Sequence, residues 1–418
     1  MFENFPKDFF WGASTSSHQV EGGNDNNWTQ FEKENAQLLA DNASKTSFFL
    51  DENARQARKV ENYISGDACD HYNLFENDIY LSNKLGLNAY RFSIEWSRIE
   101  PQKGMFDKEA IAHYKKMIRV LRAYKMEPFV TIWHWTLPKW FADQGAFQKR
   151  KNIKYFLRFV KKISLEMGQD VKYFITLNEP EVYSANSYFT GKWPPQKKGI
   201  LNYSRVLNNL IIAHVGAYAI IKKENPSAMV GIAKNNNYFQ VASKTFFNRV
   251  LKKIADKYWN DYFLKKISSF QDFIGLNYYF RNTIDGWYFR NKNSKTSDLG
   301  WDLYPEGIFN VLEDLKKYKK PIFITENGLA DAKDRYRKWF INQTVKSIDK
   351  ALEAGVDVRG YLHWSLLDNF EWAEGFWPRF GLIEVDYKTQ KREFRPSALH
   401  YGKIISSFKR KKSLKTEK

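Results

Sequence analysis

Cysteine occurs once in 418 residues, as Cys69. No intramolecular disulfide can form, and a metal cluster built on cysteine is excluded. No H-x-x-x-H or comparable pair is present, so His18 and His134 with nearby carboxylates do not read as a metal site. A Gly-rich phosphate loop is missing as well, since Gly22-Gly23 lacks the G-x-G-x-x-G spacing of a nucleotide fold. Neither metal nor cofactor is expected. No uninterrupted apolar run approaches membrane-spanning length. Met1 leads into Phe9-Phe10-Trp11-Gly12 without a basic n-region or a long apolar h-region. A soluble cytoplasmic protein without a membrane partner is expected. With no internal repeat and no linker rich in Pro, Gly and Ser, residues 1–407 are expected to form one domain. Residues 408–418 carry the one true basic run, Lys409-Arg410-Lys411-Lys412, and are expected to form a disordered tail.

What the chain does have is apolar and aromatic surface. The hydrophobic fraction of 43% supports a large core, and the 14 Trp exceed what such a core usually needs. Those not used in packing would line a concave surface, where sugar rings stack well. The formal charge of +19 comes from Lys and Arg spread along the chain among Asp and Glu. That distribution describes a solvated basic surface and not a nucleic-acid footprint on one face.

Apolar, β-branched runs suited to buried strands recur at Phe9–Ala13, Ala89–Ile94, Phe129–Trp133, Tyr173–Leu177, Met229–Ala233, Phe273–Leu276, Ile322–Thr325 and Val358–His363. Helix-period segments lie between them at His71–Leu85, Glu109–Tyr124, Lys151–Met167, Tyr203–Glu224, Ile308–Lys317 and Arg335–Glu353. Asp70 is placed to cap the first and Gly86 to stop it, and Gly355 stands at a C-terminal stop. Strands alternating with helices in this number predict a single closed parallel (β/α)8 TIM barrel, with its active site at the C-terminal ends of the strands. The long polar excursions at Glu21–Gly66, Trp135–Arg150, Glu179–Asn202 and Leu366–Arg379 all follow strands, and so fall on that face.

Two of these strands end in the same way. Tyr173-Phe174-Ile175-Thr176-Leu177 runs into Asn178-Glu179-Pro180, and Ile322-Phe323-Ile324-Thr325 runs into Glu326-Asn327-Gly328. Either Glu alone could be a surface residue at a strand end. Two on one barrel face supply the pair of carboxylates that glycosidic cleavage with retention requires. The other strand ends give His18-Gln19-Val20-Glu21, Arg91, Glu95-Trp96, His134-Trp135, Asn277-Tyr278-Tyr279, Trp364 and Asp368-Asn369-Phe370-Glu371-Trp372. Amides, imidazole, carboxylates and indoles suit vicinal hydroxyls and pyranose faces.

Thr176-Leu177-Asn178-Glu179-Pro180 and Ile324-Thr325-Glu326-Asn327-Gly328 resemble the two signatures of family 1 glycoside hydrolases, the β-glucosidase and β-galactosidase family. Phe10-Trp11-Gly12-Ala13-Ser14, Gln19-Val20-Glu21-Gly22 and Leu362-His363-Trp364-Ser365-Leu366-Leu367-Asp368-Asn369-Phe370-Glu371-Trp372 resemble its opening and its eighth-strand motif. The likeness runs in order from Pro6 to Ile405. It implies that Glu179 is the acid/base and Glu326 the nucleophile, with Arg91 and Tyr279 supporting Glu326. It implies that Asn178 contacts the sugar 2-hydroxyl and that Gln19, His134, Trp135, Glu371 and Trp372 bind hydroxyls. Asn277 joins the substrate-binding set, Trp364 makes the floor under the sugar, and Trp301 resembles the platform for the leaving group. On the residues alone, Arg91 could instead pair a core carboxylate, His134 could be a bonded core histidine, and Trp301 and Trp364 could be core. One departure is the Asn235–Gln271 connection, which is short for the family and is expected to leave the leaving-group side open and mobile. Another is the stretch from Glu374 to Leu382, which looks closer to archaeal-type members.

The function so implied is a retaining β-glycosidase that removes terminal non-reducing β-D-glycosyl residues in two displacements. Its substrates would be small β-glucosides and oligosaccharides, with β-galactosides and β-fucosides as further candidates. A 6-phospho-β-glycosidase is the near rival, and Glu371-Trp372 argues against it because a carboxylate there repels phosphate. A sugar-binding protein on the same scaffold would need neither Glu179 nor Glu326. A transglycosylase would use the same residues.

Overall fold

The computed structural model describes residues 3–44, 55–290 and 295–414. Eight parallel strands close into a barrel: β1 (Phe10–Ser14), β2 (Ala89–Ser93), β3 (Glu127–Trp133), β4 (Tyr173–Asn178), β5 (Met229–Asn235), β6 (Phe273–Asn277), β7 (Ile322–Glu326) and β8 (Val358–Trp364). Each strand pairs with its neighbours in sequence, and β8 closes on β1 with Gly12 opposite Leu362. All eight expected strands are present, most of them reaching one or two residues further toward the C-terminal end.

The barrel interior is packed at its lower end. Phe129, Tyr173, Phe273 and Phe323 meet there with Ile175, Ala233 and Leu362, and Phe129 stacks on Tyr173 at 4.4 Å. Small residues make room for these rings. A Cβ on Gly231 would lie 2.7 Å from the Phe273 ring, and one on Gly360 would lie 3.0 Å from Phe323. Such aromatic packing in a closed barrel gives the rigid base on which the strand ends are held.

Helices cover the outside. Ile200–Glu224, among the described residues, is one helix long and apolar enough to cross a membrane by length and composition. Here it lies on the barrel, burying Val206, Leu210, Ala213, Ala217 and Ile221. Asp70 does stand at the start of helix His71–Lys84, but in a left-handed conformation. Its side chain accepts from the Asn73 side chain at 2.7 Å and caps no backbone N–H. The final helix runs Pro396–Leu414, so the tail expected from residue 408 begins inside it. Phe408 is buried against Trp11 and Phe5, an anchor that the following basic run concealed.

The excursions after β5 and β6 build a small outer sheet from Tyr238–Val241, Arg281–Asp285 and Tyr288–Phe289. The Asn235–Gln271 connection is therefore not a gap. It contains strand Tyr238–Val241, helix Phe246–Ala255, a wide turn at Asp256–Asp261 and helix Tyr262–Ile267. Trp259, on that turn, reaches the cavity described next.

Candidate active site

A cavity of about 260 Å³ opens at the C-terminal ends of the strands. Six of the 14 Trp line it, namely Trp135, Trp193, Trp259, Trp301, Trp364 and Trp372. Others, among them Trp11, Trp28, Trp96, Trp133 and Trp377, are core. Glu179, Glu326 and Glu371 line the cavity with Gln19, His134 and Tyr279, and among the described residues no Lys or Arg does. A larger outer chamber of about 660 Å³ adjoins it, sharing Trp193, Trp301, Glu371 and Trp372.

Local backbone irregularities aim the two carboxylates. The β6–β7 register shifts between Ile324 and Glu326, and the β4–β5 register shifts between Ile175 and Asn178. Such shifts re-aim a side chain at the end of a strand. Glu179 has φ 42°, in the left-handed region, and Pro180 after it disfavours the right-handed helical alternative. Trp135 and Trp372, at φ 77° and 50°, share this costly conformation. Gly328 is required by close approach, since a Cβ there would sit 1.8 Å from the Trp364 carbonyl oxygen.

Glu326 is held on both oxygens. Arg91 donates to Oε1 at 2.5 Å, and the Tyr279 hydroxyl donates to Oε2 at 2.5 Å. Arg91 is fully buried, and it also donates to Thr131 Oγ1 at 2.9 Å, Asn178 Oδ1 at 2.7 Å and the Thr325 carbonyl at 3.3 Å. Glu179 is held on one oxygen only. Its Oε1 accepts from Asn277 Nδ2 at 2.8 Å and Asn235 Nδ2 at 3.2 Å. Burial first, and then the charge of Glu326, push the Glu179 carboxyl up to about 8, against the pull of the two amides and Arg91. Asn277 also donates to Asn178 Oδ1 at 3.3 Å, so the two carboxylates end one continuous network.

The remaining expected residues converge on the same space. Gln19 donates to Glu371 Oε2 at 3.2 Å and to the Phe370 carbonyl at 2.9 Å. Burial, followed by repulsion from Glu326 and Glu374, pushes Glu371 up to about 8. His134 Nε2 accepts from Asn178 Nδ2 at 3.0 Å, which puts its proton on Nδ1, a nitrogen without a partner among the described residues. Burial and Arg91 hold this imidazole well below its usual range, so it is neutral. The Trp135 indole donates to the Asn178 carbonyl at 2.8 Å, and Trp301 packs on Tyr279 and Phe280. Trp364 joins Tyr279 and Phe380 in one cluster.

Four strand-end residues are structural instead. His18 bonds Glu32 at 2.8 Å and Asn26 at 3.1 Å and stacks under Trp372 at 5.6 Å. Glu95 caps a short helix, Trp96 stacks on Phe159, and Glu21 binds Arg98. No cluster of metal-ligating side chains occurs among the described residues. The sequence reading missed Asn235, Trp259, Trp193 and Asn237. Asn235 and Asn237 had a signal in the amide-rich end of β5, Lys234-Asn235-Asn236-Asn237. Trp259 had none, because an irregular turn delivers it.

The glycosyl hydrolase family 1 model matches residues 1–267 and 247–410. The chain belongs to glycosyl hydrolase family 1. Among its relatives is β-glucosidase A of Thermotoga maritima, 32% identical, with 97% of this chain and 98% of the relative aligned. The β-glycosidase from Pyrococcus horikoshii superposes with a TM-score of 0.85 at 37% identity, over 97% of this chain and 95% of that one. The Thermotoga maritima β-glucosidase in complex with glucoimidazole gives 0.84 at 29% identity, over 97% and 99%. As a family 1 member the protein is a glycoside hydrolase acting on O-glycosyl bonds, and retention of configuration is general in the family.

Proposed function

We propose that this family 1 enzyme is a cytoplasmic β-glucosidase acting at the non-reducing end of small β-glucosides and oligosaccharides, and also on β-galactosides and β-fucosides. Glu326 is the nucleophile and Glu179 the acid/base. The observation that carries this reading is the unequal treatment of the two carboxylates. Arg91 and Tyr279 hold both oxygens of Glu326, which fixes an ionised group for attack at the anomeric carbon. Glu179 receives two neutral amides on Oε1, which leaves Oε2 toward the cavity as the proton-bearing oxygen. With its carboxyl near 8, Glu179 arrives protonated at neutral pH and gives that proton to the departing oxygen. Once the glycosyl-enzyme ester forms, the charge of Glu326 is gone. The repulsion that raised Glu179 goes with it, and Glu179 becomes the base that activates water.

Gln19, Glu371, Asn178 and His134 present donors and acceptors to the sugar hydroxyls, and Trp364 gives the ring its floor. Trp301 receives the leaving group. Unphosphorylated sugars are favoured because three carboxyl groups and no Lys or Arg line the cavity. Arg91 is buried and already committed to Glu326, Thr325, Asn178 and Thr131. The test is a panel of nitrophenyl β-glycosides with and without a 6-phosphate. Glucosides should turn over fastest, and faster cleavage of the 6-phosphoglucoside would overturn the sugar assignment.

A further inference from the structure

Behind Glu179 lies a buried ion pair that the chemistry described so far does not use. Lys234 is the penultimate residue of β5. Its neighbours Ala233 and Asn235 point into the barrel, so Lys234 points outward into the layer of helices, where it is fully buried. Its ammonium donates to the carbonyl of Asn235 at 2.7 Å and to the carbonyl of Trp259 at 2.7 Å, and it meets Glu181 Oε1 at 3.2 Å. Two of its protons go to carbonyls, and the carboxylate balances its charge. Glu181 is also fully buried, on the short helix that begins immediately after Glu179. Neither of its oxygens has a hydrogen-bond donor among the described residues, and the contact with Lys234 is an ion pair. A buried ammonium and carboxylate persist only as a pair, and loss of either leaves an uncompensated charge. Burial pulls Lys234 down and pushes Glu181 up, and in each the partner's charge opposes the effect of burial.

The carbonyls that Lys234 binds belong to the two residues that reach Glu179. Trp259 Nε1 donates to Asn235 Oδ1 at 3.2 Å, which settles the orientation of the Asn235 amide. Asn235 Nδ2 then donates to Glu179 Oε1. We infer that Lys234, paired with Glu181, is a positioning residue for proton transfer: it clamps the Asp256–Asp261 turn to the end of β5, so that Trp259 and Asn235 hold Glu179 with Oε2 free to carry the proton. This rests on the acid/base role proposed for Glu179. The other groups bearing on Glu179 are Glu326 and Arg91 across the network and Glu371 and Tyr279 on the cavity wall. None of them is touched by the changes below; Lys234 itself also couples to Glu179 by charge, so the limb shift is read from Trp259→Phe, which leaves that charge in place.

Two variants test it. Trp259→Phe keeps an aromatic ring and removes one N–H. Lys234→Met combined with Glu181→Leu removes both charges together, so that neither is stranded. In each, kcat/KM for an alkyl β-glucoside should fall roughly 10–100-fold, while that for 2,4-dinitrophenyl β-glucoside, whose leaving group needs no proton, should change less than about threefold. The alkaline limb of the pH profile should move to higher pH, because the Asn235 hydrogen bond favours the ionised form of Glu179. Equal losses on both substrates, or an unmoved limb, would make the pair merely structural and overturn the inference. If the double variant does not fold, Trp259→Phe decides alone. Azide rescue of Glu179→Ala, run in parallel, separates the two failures. Rescue with an unmoved limb in Trp259→Phe overturns only the role of Lys234, and failed rescue overturns the role of Glu179 itself.

Discussion

The ends of β7 and β4 carry the same side chain in opposite settings. At β7, Glu326 meets a guanidinium and a phenol on separate oxygens, and both partners come from other strand ends. At β4, Glu179 meets two uncharged amides on a single oxygen, and its backbone is turned left-handed to reach them. The first setting pairs the carboxylate with a guanidinium and fixes its direction. The second leaves one oxygen uncommitted and lets burial hold the proton on. The difference between the two glutamates lies in their donors, not in the residues themselves.

The largest expected break is Glu326→Ala, which should abolish turnover of every glycoside. Mass spectrometry after reaction with a 2-fluoro glucoside should place the covalent label of the native enzyme on Glu326, and a label elsewhere would end the assignment. Added azide sharpens the comparison. With the nucleophile gone, azide attacks from the vacated face in one displacement and should yield the α-glycosyl azide. Glu179→Ala should give the opposite anomer. There the glycosyl-enzyme still forms from dinitrophenyl glucoside, and azide, needing no base, completes the second displacement as the β-glycosyl azide. Alkyl glucosides should lose about 10²–10⁴-fold in that variant, the usual contribution of general acid–base catalysis. Equal losses on both substrates without azide rescue would place the proton donor elsewhere.

How much of this was legible in sequence follows the same divide. The barrel, and both glutamates, could be read because an apolar run that stops at a polar residue marks a buried strand and its end. Arg91, Asn178, Tyr279 and Asn277 were legible for the same reason, each lying on a strand or at its end. His18 fits that pattern too, yet it is buried beneath Trp372 and bonded on both nitrogens, since position at a strand end does not say which way a loop then folds. Trp259 was hidden because the π-helical turn at Asp256–Asp261 breaks the 3.6-residue repeat of the helices on either side, and a connection judged only by its length looked open. The expected tail was started too early for a related reason. The charge run after residue 408 masks the one apolar anchor, Phe408, whose partners are Trp11 and Phe5 far away in sequence.

The smallest effect tests the Glu179 side most closely. Asn277 donates the shorter of the two amide hydrogen bonds to Glu179 Oε1, and that bond favours the ionised form. In the free enzyme the productive form has Glu179 protonated, so the alkaline limb of kcat/KM for an alkyl glucoside reports this group and should lie near 8. Asn277→Ala removes a donor that lowers Glu179, so the carboxyl must rise and the limb must move to higher pH. A hydrogen bond to a charged acceptor contributes about 1.5–3 kcal/mol, part of which water entering the vacated space would restore, so the limb should move by about one pH unit. The second displacement responds with the opposite sign. It needs Glu179 ionised, so at neutral pH the glycosyl-enzyme should accumulate more than in the native enzyme, and kcat should fall while KM falls with it. The corresponding loss on the other side, Tyr279→Phe, should lower kcat without moving this limb, because its hydroxyl serves Glu326 and not Glu179. A limb that moved in Tyr279→Phe and stayed in Asn277→Ala would mean that the two glutamates had been assigned to each other's roles.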